Sequence, residues 1–358
     1  MESIFKQRFL KHLFLSMQAH PENNWDFHRF SKDHPRRAKL QIEDASRCLD
    51  FIFRHAASFE TAYRLFQDKA SQDLMITLLV YRVLDHHHVK LPLNTPDYWK
   101  SIEMVNDVFL KARRVVKSDV WNLNEYYLPG MGLTVFCRPR TIMTTFLLKQ
   151  YYHLGPPAIA PQAGDIVIDG GACWGDTALH FAHTVGRTGQ VHSFEFVPAN
   201  IAILKKHLAV NPGMEGTIVL APYALSDVSN QELRFDDYGP ASCISDNGRQ
   251  SVKTSSLDDY VHLRQLDRVD FIKMDIEGSE KPALQGAREV IRKYRPKLAI
   301  SAYHRLGDLY ELPLAIRAID PGYHFYLGHY TIHSEETILY AVHPASGAEN
   351  RQSGPKPV

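Results

Sequence analysis

Two stretches of this chain gather acids and glycines in the pattern that ligand chemistry needs. Ile166-Val-Ile-Asp-Gly-Gly-Ala-Cys-Trp-Gly-Asp-Thr177 is an apolar run that ends in Asp169 and breaks at Gly170, Gly171 and Gly175 before a helical pattern resumes. The spacing predicts a strand, a tight turn and a helix start. Gly171 and Gly175 let the backbone approach a ligand, and the helix supplies free N–H groups and the positive end of its dipole. Such a turn suits a nucleotide-like cofactor. Phe271-Ile-Lys-Met-Asp-Ile-Glu-Gly-Ser-Glu280 then closes a second apolar run with three acids in six residues. Acids there are costly unless they face a ligand, a cation or water. Asp275 or Glu277 is expected to line the pocket, and Glu280 to start a helix before Pro282. Ile300-Ser-Ala-Tyr-His-Arg305 ends another strand at the same edge, where His304 is the best placed general base.

Spacing separates the cofactor classes. A dinucleotide fingerprint needs glycines at the first, third and sixth positions before the helix, and neither Gly170 nor Gly171 opens such a frame. Asp169, Gly171 and Gly175 instead fit acid-x-Gly-x-x-x-Gly, the first motif of S-adenosylmethionine-dependent methyltransferases of the doubly wound type. That cofactor offers a sulfonium cation, an amino-acid end and a ribose, so an acid beside the glycines is useful. Glu195 closes the next strand, where a carboxylate can accept both ribose hydroxyls. Asp227, in Ala224-Leu-Ser-Asp, follows the third strand beside the expected adenine position. The sulfonium already activates the methyl group, so transfer depends on positioning, and an aliphatic hydroxyl acceptor still has to lose its proton.

The elements that must hold these residues fall in two halves. From about 42 to 84, and again from 102 to 112, apolar residues recur at helical spacing. Residues 126–137, with Pro129-Gly130 at the centre, read as a hairpin. The boundary is expected near 155–164, giving a mainly helical N-terminal domain at 1–155, an acceptor-side cover or interaction region, and a second domain at 156–344. There, runs at 166–168, 190–196, 217–220, 271–274 and 297–301 read as buried strands, with helices at 198–210 and 282–294 between them. Runs at 323–327 and 337–342 read as an antiparallel edge pair. Residues 345–358 read as a disordered tail.

With 358 residues, 44% of them hydrophobic, the chain can bury a large core, and two domains are the default. Lys plus Arg is 41 against 40 for Asp plus Glu, a net charge of +1 that points away from nucleic acid partners. Cys48, Cys137, Cys173 and Cys243 lie too far apart for a zinc pattern or a compact disulfide framework, which fits a reducing cytoplasm. No apolar run is long enough to span a bilayer. Residues 1–20 read as an amphipathic helix compatible with peripheral membrane contact. His86-His87-His88 read as a helix end, since helical neighbours point about 100° apart and cannot share one ion.

Together, Val167-Ile-Asp-Gly-Gly-Ala, Phe194-Glu-Phe-Val-Pro-Ala-Asn200, Ala224-Leu-Ser-Asp227 and Lys273-Met-Asp-Ile-Glu-Gly-Ser-Glu280 resemble the FkbM-type methyltransferases over residues 160–342. The segment from 62 to 93 is similar to the leader region of members associated with surface glycans. The resemblance implies an α/β, doubly wound, mostly parallel seven-stranded Rossmann-like sheet. It implies S-adenosylmethionine held by Asp169, Gly170, Gly171, Gly175, Thr177, Glu195, Phe196, Asn200, Ala224, Asp227, Asp275 and Glu277. It also implies O-methylation of a hydroxyl on a sugar or natural product, with His304 and Asp275 catalytic and a glycan or small molecule as acceptor. A homo-oligomer is compatible with it. Related TylF-type enzymes hold magnesium with an acid after the fourth strand and an Asp pair after the fifth. Asp275 matches the first, but Tyr303-His304-Arg305 replaces the pair, so no metal is expected. The competing expectations are a catalytically inactive cofactor-fold partner of another biosynthetic enzyme and a nicotinamide-dependent oxidoreductase.

Overall fold

The structure, a computed structural model, describes residues 3–18, 40–111, 115–117, 122–236 and 248–346. Cys243 and nearly all of the tail at 345–358 lie outside them. Four helices come first, α1 (Ile4–Gln18), α2 (Ile42–Arg54), α3 (Ala56–Leu65) and α4 (Lys69–Leu84), and α5 (Pro96–Lys111) follows. Then come β1 (Val115–Lys117), β2 (Asn122–Leu128), β3 (Leu133–Cys137) and α6 (Pro139–Thr141), which runs into a π-helical turn at Ile142–Leu147. Next are β4 (Ile166–Gly170), α7 (Asp176–Val185), β5 (Gln190–Phe194), α8 (Pro198–Val210), β6 (Ile218–Ala221), β7 (Ala224–Leu225), β8 (Glu232–Phe235), β9 (Gln250–Ser255) and α9 (Leu257–Leu263). The chain continues through β10 (Phe271–Met274), α10 (Glu280–Gln285), α11 (Arg288–Tyr294), β11 (Lys297–Ser301), α12 (Asp308–Ile319), β12 (His324–His329) and β13 (Thr337–Val342).

The chain divides into two compact units. The helical unit comprises Met1–Lys100, Ala302–Leu314 and His324–Leu339, and the sheet unit comprises Ser101–Ser301, Ala315–Tyr323 and Tyr340–Val358. Composition suggests a boundary at 155–156, whereas this division follows packing and groups β1 to β3 with the sheet unit.

In the helical unit, the stripe Phe5, Phe9 and Leu13 of α1 is buried, with Phe5 stacked on Phe59 at 5.5 Å and Phe9 edge-on to Phe53 at 6.2 Å. The amphipathic pattern of the N-terminus therefore serves packing within the unit. Asp68 caps α4 by accepting from the Ser71 amide at 2.6 Å. The Ser71 hydroxyl in turn accepts from the Leu327 amide at 2.9 Å, which ties β12 to this unit. The histidine triplet begins in a short 3₁₀ turn, Asp85–His87, at the end of α4. No helix among the described residues is long and apolar enough to cross a membrane.

The main sheet has seven strands in the order β12-β13-β11-β10-β4-β5-β6, and the run β11-β10-β4-β5-β6 is parallel throughout. After β4 the chain builds outward through β5 and β6, then returns to β10 on the other side of β4. Strand order therefore reverses between β4 and β10. Ligands of open α/β sheets bind beyond the carboxyl ends of strands at such a reversal.

Two differences from the sequence reading have local causes. The helix expected over 282–294 is broken into α10 and α11 at Gly286, whose carbonyl accepts from the Asp258 amide at 2.9 Å. A Cβ at Gly286 would stand 2.1 Å from the Ser226 carbonyl oxygen. The Asp258 carboxylate then caps the new helix through the Glu289 and Val290 amides, at 3.0 and 2.9 Å. The second difference is the small sheet β7-β9-β8, whose strands bury too few residues to leave a period-two signature: Val252, Thr254 and Ser255 are the buried ones in β9.

The 126–137 hairpin is present as β2 and β3, with Pro129-Gly130 in the turn. Its outer edge is completed by side chains of α8 and of its C-cap residue, Asn211. The Asn211 Oδ1 accepts from the Thr134 amide at 2.9 Å, its Nδ2 donates to the Thr134 carbonyl at 2.8 Å, and His207 Nε2 accepts from the Phe136 amide at 2.6 Å. His207 Nδ1–H then donates to the Trp174 carbonyl at 2.7 Å, inside the glycine turn, and burial pushes this imidazole down to about 4. Removing the paired amide strands both polar groups of Thr134. Asn211→Ala is expected to lower stability by about 1–3 kcal/mol in urea unfolding, and an unchanged midpoint would remove α8 as the anchor of the hairpin.

Candidate cofactor and active site

The glycine turn sits at the end of β4, and its glycines are required by neighbouring backbone and side chains. Gly171 has φ +74, and a Cβ there would meet the Asp275 carbonyl oxygen at 1.9 Å. The Asp275 amide also donates to the Gly170 carbonyl at 3.0 Å, so the segment after β10 lies directly against the turn. The amides of Gly171 and Ala172 both donate to the Phe194 carbonyl at 3.0 Å, fastening the turn to β5. Gly175, at φ +90, is the N-cap of α7 and lies against Leu204 of α8. A Cβ on Gly170 would stand 2.9 Å from Leu225 of β7.

Beneath this turn lies a buried ion pair. The parallel register sets Lys273 of β10 beside Asp169 of β4, and the Lys273 Nζ is 3.1 Å from Asp169 Oδ1, with side chains 1% and 0% exposed. The same ammonium donates to the carbonyls of Gly170 at 3.0 Å and Gly171 at 2.6 Å, and it lies 5.2 Å from the centre of the Tyr151 ring. Burial alone would push this ammonium down, but the negative charges of Asp169, Asp275 and Asp176 more than reverse the effect, so its pKa is raised. Asp169 also accepts from the Thr177 hydroxyl of α7 at 2.8 Å. Asp169 and Thr177 thus brace the turn from within.

Glu195 follows β5 and is 6% exposed. Its Oε1 accepts from the Val197 amide at 2.7 Å and its Oε2 from the Asn200 Nδ2 at 3.2 Å. Burial pushes this carboxyl up to about 7, against those hydrogen bonds. Asp176, the first residue of α7, is likewise raised to about 6 by burial while accepting from the Thr145 hydroxyl at 3.0 Å. Phe196 packs edge-on to Phe235 at 4.9 Å, beside the small core of Val197, Ala224, Phe235 and Val252. Ala224 is buried in β7, and Asp227 stands exposed, accepting from the Ser226 hydroxyl at 3.0 Å.

After β10 the carboxylate of Asp275 accepts from the Tyr151 hydroxyl at 2.7 Å. Glu277 is exposed, at φ +54, with Gly278 at φ +91 beside it. Glu280 begins α10, and its carboxylate accepts from the Ile276 amide at 2.9 Å, closing this loop. His304 belongs to the helical unit, with its ring 4.2 Å from that of Tyr303. There Arg82 Nη2 donates to the carbonyls of Tyr303 at 2.6 Å and Ser334 at 2.9 Å.

The sheet unit therefore gathers Asp169, Gly170, Gly171, Gly175, Thr177, Glu195, Asn200, Asp275 and Glu277 around the carboxyl ends of β4, β5 and β10. Sequence reasoning gave no role to Lys273 or Tyr151. Lys273 left a signal, a charge inside the apolar run Phe271-Ile-Lys-Met, which demands a buried partner. Tyr151 left none, standing 124 residues from the carboxylate it bonds.

Residues 169–325 match the family model described as the methyltransferase FkbM domain. This segment is an FkbM methyltransferase domain. Among solved structures, the methyltransferase FkbM from Methylobacillus flagellatus KT is similar at 21% identity with a TM-score of 0.53, covering 82% of this chain and 60% of that one. At that identity the likeness speaks for the fold, and the match spans less than two thirds of that protein. Fibrillarin from Aeropyrum pernix, solved with S-adenosyl-L-methionine, is similar at 13% identity and a TM-score of 0.34, covering 64% of this chain and 98% of that one. The O-methyltransferase from Bacillus cereus is similar at 12% identity and a TM-score of 0.34, over 68% and 90%. No curated protein matches the sequence.

The FkbM domain implies S-adenosylmethionine as cofactor, and the residues present suit it. Glu195, buried after β5 with Oε1 held by the Val197 amide and Oε2 by Asn200, stands at the strand end where a carboxylate meets ribose hydroxyls. The turn leading into α7 presents a helix start at the reversal of strand order.

Two outcomes are expected. Lys273→Met leaves Asp169 buried without its cation and is expected to cost about 3–5 kcal/mol, while Lys273→Met with Asp169→Leu recovers part of the loss; equal losses in urea unfolding would deny the pair its role. Glu195 titrates near 7 in the fold against 4.5 for the free group, so the native state keeps its proton longer and Glu195 lowers stability progressively from 4.5 to 7. Glu195→Gln is expected to raise the unfolding temperature by a few degrees above pH 7 and to leave it unchanged near pH 4.5. A gain of the same size at both pH values would contradict the burial effect.

Proposed function

We propose that the protein is an S-adenosylmethionine-dependent O-methyltransferase acting on a hydroxyl of a saccharide-containing or natural-product acceptor. The observation that carries this reading is the buried Glu195 carboxylate beside the braced turn of Asp169, Gly170 and Gly171, within a segment matched by the FkbM domain model. When bound, the cofactor supplies a methyl group already activated by its sulfonium. Glu195 accepts the ribose hydroxyls, with Asn200 and the Val197 amide holding its two oxygens in place. Gly171 and Gly175 keep the turn and the start of α7 in the shape that receives the cofactor. Asp275, held by Tyr151, faces the cofactor from the end of β10.

In this reading His304 takes the proton from the acceptor hydroxyl, as an imidazole can near neutral pH. Its support is the anchoring of the preceding residue, since Arg82 grips the carbonyls of Tyr303 and Ser334. The acceptor class rests on the FkbM resemblance.

Calorimetric titration with S-adenosylhomocysteine and with NAD separates this reading from a nicotinamide enzyme, and binding of neither would favour a scaffold. Methyl-labelled S-adenosylmethionine incubated with fractionated envelope glycans, lipids and small metabolites should label one hydroxyl-bearing fraction. A chelator control with magnesium add-back decides whether a divalent cation takes part. His304→Ala is expected to reduce turnover on that fraction by about 10²–10⁴-fold, the range for loss of a general base, with S-adenosylhomocysteine affinity unchanged. Full turnover in the variant across pH would take the base role from His304.

A further inference from the structure

We infer that Tyr151 is a positioning residue of the cofactor site, acting through Asp275. The inference rests on the reading of that site given above. Asp275 has its main chain pinned twice to the glycine turn, by its amide donating to Gly170 and by its carbonyl filling the space beside Gly171. The Tyr151 hydroxyl restrains its side chain by donating to Asp275 Oδ2 at 2.7 Å, and a hydrogen bond to a carboxylate is among the stronger kinds.

Tyr151 is itself held from several sides. Its ring is 4% exposed, lies 6.3 Å from Phe181 of α7 and sits over the Lys273 ammonium at 5.2 Å. The residues around it are tied down as well. The Gln150 amide donates to the Thr144 carbonyl at 3.0 Å, the Tyr340 hydroxyl donates to the Gln150 carbonyl, and the Tyr152 and Thr184 hydroxyls are 2.9 Å apart. Lys149, at φ +51, turns the chain into this segment. A phenol held this firmly sets the direction of the carboxylate it bonds. The ammonium that neutralises Asp169 thus also lies under the ring that aims Asp275, so one cation supports both the turn and the acid.

The test is a double-mutant cycle read by S-adenosylhomocysteine affinity in calorimetry, using the full chain. Tyr151→Phe keeps the ring, its packing and its contact with Lys273, and removes only the hydroxyl. It is expected to weaken binding about tenfold, the effect of one charge-assisted hydrogen bond, while circular dichroism and the unfolding temperature stay close to the wild type. Asp275→Asn is expected to weaken binding at least as much, and the double variant to bind within twofold of Asp275→Asn, because Tyr151 then has no carboxylate to aim. Glu195→Gln, after β5 rather than β10, serves as the additive control. Wild-type affinity in Tyr151→Phe, or losses that multiply in the double variant, would overturn the inference while leaving the cofactor reading intact. Failure of the wild type to bind S-adenosylhomocysteine would instead remove the reading on which the inference stands.

Discussion

A lysine ammonium that is 1% exposed must be neutralised where it lies, and around Lys273 that requirement organises the carboxyl edge of the sheet. The charge is met by Asp169 on the neighbouring strand and by two carbonyls of the turn that follows it. Three donor directions of one ammonium thereby set the path of Gly170 and Gly171. With the turn set, Gly175 falls at the start of α7 and the segment after β10 closes against Gly171. A hydrophobic side chain of similar length at 273 could fill the volume and could not grip the carbonyls. Buried pairs of this kind add little net stability over apolar packing, and here the pair specifies the shape of the turn.

Around this centre the site's acids are arranged in unlike environments. Glu195 and Asp176 are buried far enough for their carboxyl groups to rise to about 7 and about 6. Each is kept in place by amide or hydroxyl donors, so burial and hydrogen bonding oppose one another. Asp275 is half-buried at the edge, where a phenol holds it, and Glu277 is exposed in a left-handed turn. The acids thus grade from buried and braced, at Glu195 and Asp176, to more exposed, at Asp275 and Glu277.

Much of this was legible in the residues. The strand, turn and helix over 166–177 are present, and so are the strand ending before Glu195, the hairpin with Pro129-Gly130 and the helix over 198–210. Those signals are local: an apolar run, a glycine, a proline in a first turn. The break at Gly286 was not legible, because it is forced by Ser226 and Asp258 from distant segments. The small sheet of β7, β8 and β9 escaped for a related reason, since its strands bury too little to show alternation.

By itself, the sequence determined the doubly wound class, the glycine turn after Asp169, the ordered acids at 195 and 275–280 and their agreement with the FkbM domain. These follow from chain-local chemistry, because strand period, helix start and turn type depend on neighbours a few residues apart. Only the tertiary structure decided why Gly171 must be glycine, which acid Lys273 neutralises and that Tyr151 reaches Asp275. Those are meetings between segments roughly a hundred residues apart, and they depend on strand order and register. A parallel sheet brings such segments together through its crossovers, and no local pattern encodes which side chains then face one another.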